Sequence, residues 1–278
     1  MRRILLRISY DGTKYVGWQK QDNGLAVEEV INTALNRLTG EEIAVIGASR
    51  TDSGVHALDN VAVFDTESRI PADKFCYALN PYLPGSVIIQ NSYEVDPDFH
   101  PRHAQCRKTY EYSFYCAAHN NPLLSRYTYF VHTRLDTRAM KTAAEYLVGE
   151  HDFAAFCSSG AQVRTTVRTV YSLEIETLEP TQIPVLFHDP SDRTAGPESG
   201  SGEPETPSPR SIVRIRITGN GFLYNMVRII AGTLLQVGMG ITEPEKIREI
   251  LESRDRSLAG PTAPPQGLVL KEIRYMDH

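Results

Sequence analysis

The sequence is poor in the residues that build metal or disulfide scaffolds. Its 278 residues include only four cysteines, Cys76, Cys106, Cys116 and Cys157. They are widely spaced with no C-x-x-C pair, so neither a zinc cage nor a disulfide framework is indicated, and free thiols with no bound metal are expected. No uninterrupted apolar run approaches the length of a membrane span. At the amino end Arg7 breaks the apolar run Ile4-Leu5-Leu6 before a signal-peptide core forms, which makes a cytoplasmic protein without membrane contact the expectation. Positive charge is also short for a nucleic-acid binder, the formal net charge being −5. That deficit is local. Between His188 and Pro209 five acids (Asp189, Asp192, Glu198, Glu203, Glu205) face one base (Arg193), a net of −4 that leaves about −1 for everything else. A nearly neutral body has room for a basic face.

What is present is enough apolar material, 41% of residues, for a substantial core. The stretch at about 188–210 is rich in Pro, Gly, Ser and acids and reads as a flexible acidic insertion. It separates two alternating segments, Val167–Glu176 and Ser211–Thr218, as a lengthened hairpin loop would. Before it, periodicity predicts strand Arg3–Tyr10, helix Val27–Leu38, strands Glu42–Ile46 and Asn60–Asp65, helix Ala72–Leu79 and strand Ser86–Val95. The same order recurs with additions. Strands Thr109–Tyr115 and Tyr127–Val131 precede helix Thr137–Val148. After strands Val167–Glu176 and Ile212–Thr218 come helices Phe222–Val237 and Glu243–Leu251 and strand Leu268–Tyr275. The expected fold class is α+β: two ferredoxin-like β-α-β-β-α-β halves, residues 1–104 and 105–278, with their sheets joined into one extended antiparallel sheet.

Three stretches carry chemistry. The first, Gly47–Ala57, lies between two strands and mixes Gly, small polar residues, the acid Asp52 and the base Arg50, as functional loops do. By itself it fits a plain turn equally well. The second is the apolar helix opened by Gly219-Asn220-Gly221, in which Arg228 is the only charge. Gly221, Asn225, Arg228 and Gly232 fall at helical spacing and form a small, polar stripe. An arginine there costs several kcal/mol if buried unpaired, so it calls for a carboxylate, with Asp52 the candidate; the alternative is that Arg228 reaches water or another acid. The third is an acid-free run containing Arg102, Arg107 and Lys108 that feeds a strand with Tyr110, Tyr112 and Phe114 on one face. Most such aromatics are core, while the first, beside the bases, has the makings of a stacking platform for an unstacked nucleotide. Arg164 and Arg168 form a second basic patch.

These residues resemble the tRNA pseudouridine synthase A family. The matching stretches are YDGTKYVGWQ at Tyr10–Gln19, SRTDSGVHA at Ser49–Ala57, ALNPYLP at Ala78–Pro84, FHPRHAQCRKTYEY at Phe99–Tyr112, EHDFAAF at Glu150–Phe156, GNGFLYNMVRIIAG at Gly219–Gly232 and APPQGLVL at Ala263–Leu270. The resemblance implies the pseudouridine synthase fold and a cofactor-free isomerase that converts uridine to pseudouridine in the anticodon stem-loop of tRNA, at positions 38, 39 and 40. It implies Asp52 as nucleophile, Arg228 as its partner, Tyr110 against the target base, and a homodimer. Arg50 is expected to hold the vacated space or a phosphate, and Arg102, Arg107, Lys108, Arg164 and Arg168 to position the RNA backbone. Arg228 is expected to keep Asp52 ionised. Three departures from the family pattern are Ser49 in place of the usual glycine, Ala26-Val27-Glu28 at the first helix, and Asn60 in place of a common glutamine.

Two other readings compete. A ferredoxin-like RNA-binding module without catalysis needs only surface aromatics and basic strips, and has little use for a helix-borne arginine aimed at an acid. An aspartic protease shares Asp-Ser-Gly locally, but needs a second such acid and apolar flanks, whereas Arg50-Thr51 precedes this one.

Overall fold

The computed structural model describes residues 1–160, 163–178 and 210–276. The acidic insertion expected at about 188–210 lies outside the described residues, apart from Arg210. The architecture is mixed α+β around one large, mostly antiparallel sheet. Its strands are β1 (Arg2–Tyr10), β2 (Ile46–Gly47), β3 (His56–Thr66), β4 (Val87–Val95), β5 (Cys106–Cys116), β6 (Tyr129–Val131), β7 (Gly149–Asp152), β8 (Val167–Leu178), β9 (Ser211–Gly219) and β10 (Leu268–Tyr275). They lie in the order β4-β1-β3-β10-β5-β9-β8-β7, with β2 beside β3 and β6 beside β5. Two pairings are parallel, β5 with β6 and β10 with β3. The second is brief, Val269 opposite His56 and Leu270 opposite Ala57, and it joins the amino-terminal strands to the carboxy-terminal ones.

The helices are α1 (Val27–Thr39), α2 (Phe75–Leu79), α3 (Thr137–Glu145), α4 (Met226–Gly238) and α5 (Lys246–Ser253). In α1, Val27, Ile31, Ala34 and Leu35 recur at helical spacing and are buried. Glu29 accepts from the Ala26 amide at 3.1 Å, satisfying one of the donors a helix start leaves over. Gly40 ends the helix in the left-handed region, where a glycine carries no Cβ penalty. In α4 almost every residue is buried, which explains why its sequence is apolar nearly all round.

Several expected elements are altered. The predicted strand Glu42–Ile46 reduces to two residues, because its amides are satisfied elsewhere. Ile43 donates to Asn36 Oδ1 at 2.8 Å and Val45 to Asn32 Oδ1 at 2.9 Å, both on α1. The predicted helix Phe222–Val237 begins only at Met226, because Asn225 adopts φ 60 and ψ 6, a conformation an α-helix cannot include. The expected stripe is therefore interrupted: Gly221 and Asn225 lie ahead of the helix, and only Arg228 and Gly232 share its face. At Gly232 that face is covered by chain. A Cβ on Gly232 would sit 1.8 Å from the Pro261 carbonyl oxygen. Strand β7 is a polar edge strand that hydrophobic periodicity does not predict. The hairpin of Val167–Glu176 with Ser211–Thr218 is present as β8 and β9, paired as far as Leu178 opposite Ile212.

Candidate active site

A cleft of about 890 Å³ opens between the Ala48–Val55 loop and the Asn220–Arg228 segment, with Tyr110 of β5 and Leu268 of β10 in its lining. Such a volume lies within the range of small-ligand sites.

The loop that carries Asp52 is held on every side. Four of its carbonyls are taken up: Ala48 accepts from Lys108 Nζ at 2.8 Å and Ser49 from Asn60 Nδ2 at 3.1 Å. Thr51 accepts from the Trp18 amide and Asp52 from the Val55 amide, both at 3.1 Å. The Thr51 hydroxyl meets Tyr10 Oη at 2.7 Å. The segment Tyr10–Gln19 lies against the back of this loop, and its glycines are there for close approach. A Cβ on Gly12 would be 1.9 Å from the Val55 carbonyl oxygen, and one on Gly17, at φ +117, 2.6 Å from that of Thr51. His56 closes the far end. Its Nδ1 accepts from the Gly12 amide at 3.1 Å and its Nε2 donates to the Arg126 carbonyl at 3.0 Å, the pattern of a neutral ring. Burial lowers its pKa in spite of Asp11 nearby, so the 3.3 Å approach of Asp11 is not an ion pair at neutral pH.

Asp52 and Arg228 come together as the sequence suggested. Arg228 Nη1 lies 3.5 Å from Asp52 Oδ2, with both side chains largely buried. The guanidinium is anchored more tightly elsewhere, Nε donating to the Ala263 carbonyl and Nη1 to Asn225 Oδ1, both at 2.8 Å. Asp52 Oδ1 accepts no hydrogen bond from any described residue. Burial raises the Asp52 pKa, and the Arg228 charge and contact lower it by less, so the net shift is upward. Arg228 thus favours the ionised form of Asp52, the direction expected, while the loss of water opposes it and outweighs it.

Tyr110 is buried, its ring edge-on to Phe222 with centroids 5.3 Å apart. Its hydroxyl shares a 2.8 Å hydrogen bond with Ser49 Oγ, and burial pushes its pKa up to about 12. The serine that departs from the family pattern thus binds the tyrosine expected to meet the base. Arg50, Arg102, Lys108 and Arg168 also line the cleft. Lys108 is spent on the Ala48 carbonyl, and burial lowers its pKa. Arg107 and Arg164, both exposed, are absent from the lining. Strand alternation sends Arg107 to the face opposite Lys108 and Tyr110, where it stacks over Tyr171 at 4.7 Å. Sequence reasoning passes over Tyr224, half exposed in the cleft wall beside the Asn225 of the polar stripe. It carries no charge and lies off that stripe, so nothing in the residue order marks it.

The comparisons with known proteins agree with this geometry. The profile of the tRNA pseudouridine synthase family matches residues 7–103 and 143–276. A tRNA pseudouridine synthase A from Acetivibrio thermocellus is 45% identical over 275 residues, covering 99% of this chain and all of that protein. Those of Ruminiclostridium cellulolyticum and Brevibacillus brevis are 44% and 43% identical, again over 99% of this chain and the whole of each relative. Both matched stretches contribute to the cleft, the first bringing Asp52 and the second Arg228, and the chain belongs to the tRNA pseudouridine synthase family.

Proposed function

We propose that this chain isomerises uridine to pseudouridine in tRNA, with Asp52 as the nucleophile. The observation that carries the assignment is a largely buried carboxylate, one oxygen unengaged and a guanidinium 3.5 Å from the other, in a cleft bordered by arginines. The reaction breaks the bond from the ribose carbon to the ring nitrogen, turns the base and joins the same sugar carbon to a ring carbon. The ring carbon gives up a proton and the freed nitrogen takes one, so atoms and electrons balance without redox chemistry. One carboxylate serves as the covalent actor, adding either to the base or to the sugar carbon.

The other residues follow from their placement. A paired uridine must leave its stem to reach Asp52, and the Tyr110 ring is the aromatic floor it meets. Arg50, Arg102 and Arg168 border the route in and suit phosphate contacts, whereas Lys108 serves the loop. The proposed targets are uridines 38, 39 and 40 of the anticodon stem-loop, on a homodimer across which the tRNA lies. The strand orders β4-β1-β3-β2 and β10-β5-β9-β8 support two ferredoxin-like halves, 1–104 and 105–278. The proposed setting is the cytoplasm.

The test is the Asp52→Asn variant assayed for pseudouridine formation in tRNA alongside tRNA binding. Lost turnover with binding retained is expected; turnover by the variant removes the assignment. Mapping pseudouridines in tRNA from cells with and without the gene tests the target positions.

A further inference from the structure

We propose that Asn225 is a positioning residue that keeps the Arg228 guanidinium at a stand-off from Asp52, leaving the carboxylate free to react. The inference rests on Asp52 being the nucleophile.

Asn225 departs twice from what its place in the fold calls for. It is the residue before the first turn of α4, a position that ordinarily takes an extended backbone and spends its side-chain oxygen on the amides of that turn. Here the backbone is left-handed, at φ 60, and the side chain makes no capping bond. The other described non-glycine residue with positive φ, Arg254, closes the end of α5, where that conformation is common. The left-handed backbone at Asn225 therefore needs another reason, and its amide supplies one. Oδ1 accepts from Arg228 Nη1 at 2.8 Å, while Nδ2 donates to Ser158 Oγ at 3.0 Å. The serine bond fixes which end of the amide faces the arginine.

The distances give the consequence. Charge-assisted bonds between guanidinium and carboxylate ordinarily close to about 2.7–2.9 Å, often two in parallel. Arg228 makes contacts of that length only to neutral acceptors, Asn225 Oδ1 and the Ala263 carbonyl, and stays 3.5 Å from Asp52. A closed pair would engage the carboxylate oxygens that must attack. Held back, the cation still lowers the acid's pKa without occupying it. The charged and titratable groups around Asp52 are Arg228 from α4, Tyr224 just ahead of that helix, Tyr110 and Lys108 from β5, Arg50 from its own loop, and Arg102 and Arg168 elsewhere in the cleft lining. Among the described residues Arg228 alone forms an ion pair with it.

The test compares wild type with Asn225→Gly, which takes the left-handed backbone without strain but cannot hold the arginine. The Asp52 carboxyl is titrated by ¹³C NMR in the full-length protein, with Asp52→Asn identifying its signal, and kcat and KM are measured on tRNA. Release of Arg228 onto Asp52 is expected to lower the Asp52 pKa and reduce kcat at least ten-fold. KM is expected to stay within about two-fold and the melting temperature not to fall. An unchanged or raised Asp52 pKa, or an unchanged kcat, overturns the proposal. A second variant, Asn225→Asp, keeps an acceptor for Arg228 and adds a negative charge, so Asp52 should titrate above its wild-type value; a lower value is a contradiction. The NMR measurement needs no turnover. Activity in Asp52→Asn would defeat the nucleophile assignment, while the pKa of Asp52 in Asn225→Gly separately decides the stand-off.

Discussion

The main-chain amide of Trp18 donates to the carbonyl of Thr51 at 3.1 Å, so the residue before the proposed nucleophile is held by a turn from the first strand's exit. Gly17 makes that approach possible. The Gly17→Ala variant meets both a carbonyl oxygen and an unfavourable φ, a local cost of about 1–3 kcal/mol. Because the displaced atoms belong to the Asp52 loop, kcat should fall about a hundred-fold while tRNA affinity changes little. Circular dichroism and steady-state kinetics check this; wild-type turnover would show that the loop tolerates the shift.

Removing the guanidinium should move the acid side of the pH profile. Burial raises the Asp52 pKa and Arg228 counters part of that rise. In Arg228→Met the counterweight is gone, so the carboxylate ionises at higher pH than in wild type and kcat falls, by about 10²-fold at neutral pH. The acid limb of kcat against pH should shift upward. A limb that stays in place would mean that the arginine does not tune this acid.

The same upward shift sets the sign of a stability effect. A carboxyl whose pKa is higher folded than unfolded binds its proton more tightly in the folded state, so its ionisation costs stability. Its contribution is most favourable below the unfolded value of about 3.9 and is lost as pH rises through the folded one. The neutral Asp52→Asn avoids that cost. Its melting temperature at pH 7 should exceed that of wild type, and the gap should close on acidification toward pH 4. A lower melting temperature at pH 7 would contradict the burial argument.

The cleft's position divides the arginines. Arg168→Ala and Arg102→Ala should each weaken tRNA binding and reduce the slope of log affinity against log salt by up to about one, as loss of a phosphate contact does. Arg107→Ala, on the opposite sheet face, should leave that slope unchanged. Filter binding at several salt concentrations separates the two groups.

Much of the site was legible because charge is expensive in an apolar helix. A lone Arg228 among leucines and isoleucines called for an acid, and Asp52, in a loop of small polar residues between two strands, was the candidate. Strand alternation was equally readable, and applied to Arg107 and Lys108 it would have placed them on opposite faces. The late start of strand β2, at Ile46 and not Glu42, was not readable, since Asn32 and Asn36 serve the preceding amides from a separate helix. Nor was the late start of α4: Asn225 is an ordinary residue locally, and only Arg228 and Ser158 give it reason to turn left-handed. The net ionisation of Asp52 depended on how much water the fold removes, a quantity of packing that residue order does not display.

Strand β10 fills the centre of the sheet, yet translation reaches it after every other described strand. Until it emerges, β3 and β5 have no bridge, and the Asp52 loop and the arginine helix belong to separate unfinished pieces. The exposed edges of β3 and β5 must wait for a distant partner, the kind of non-local closure that makes assembly slow and vulnerable to mispairing.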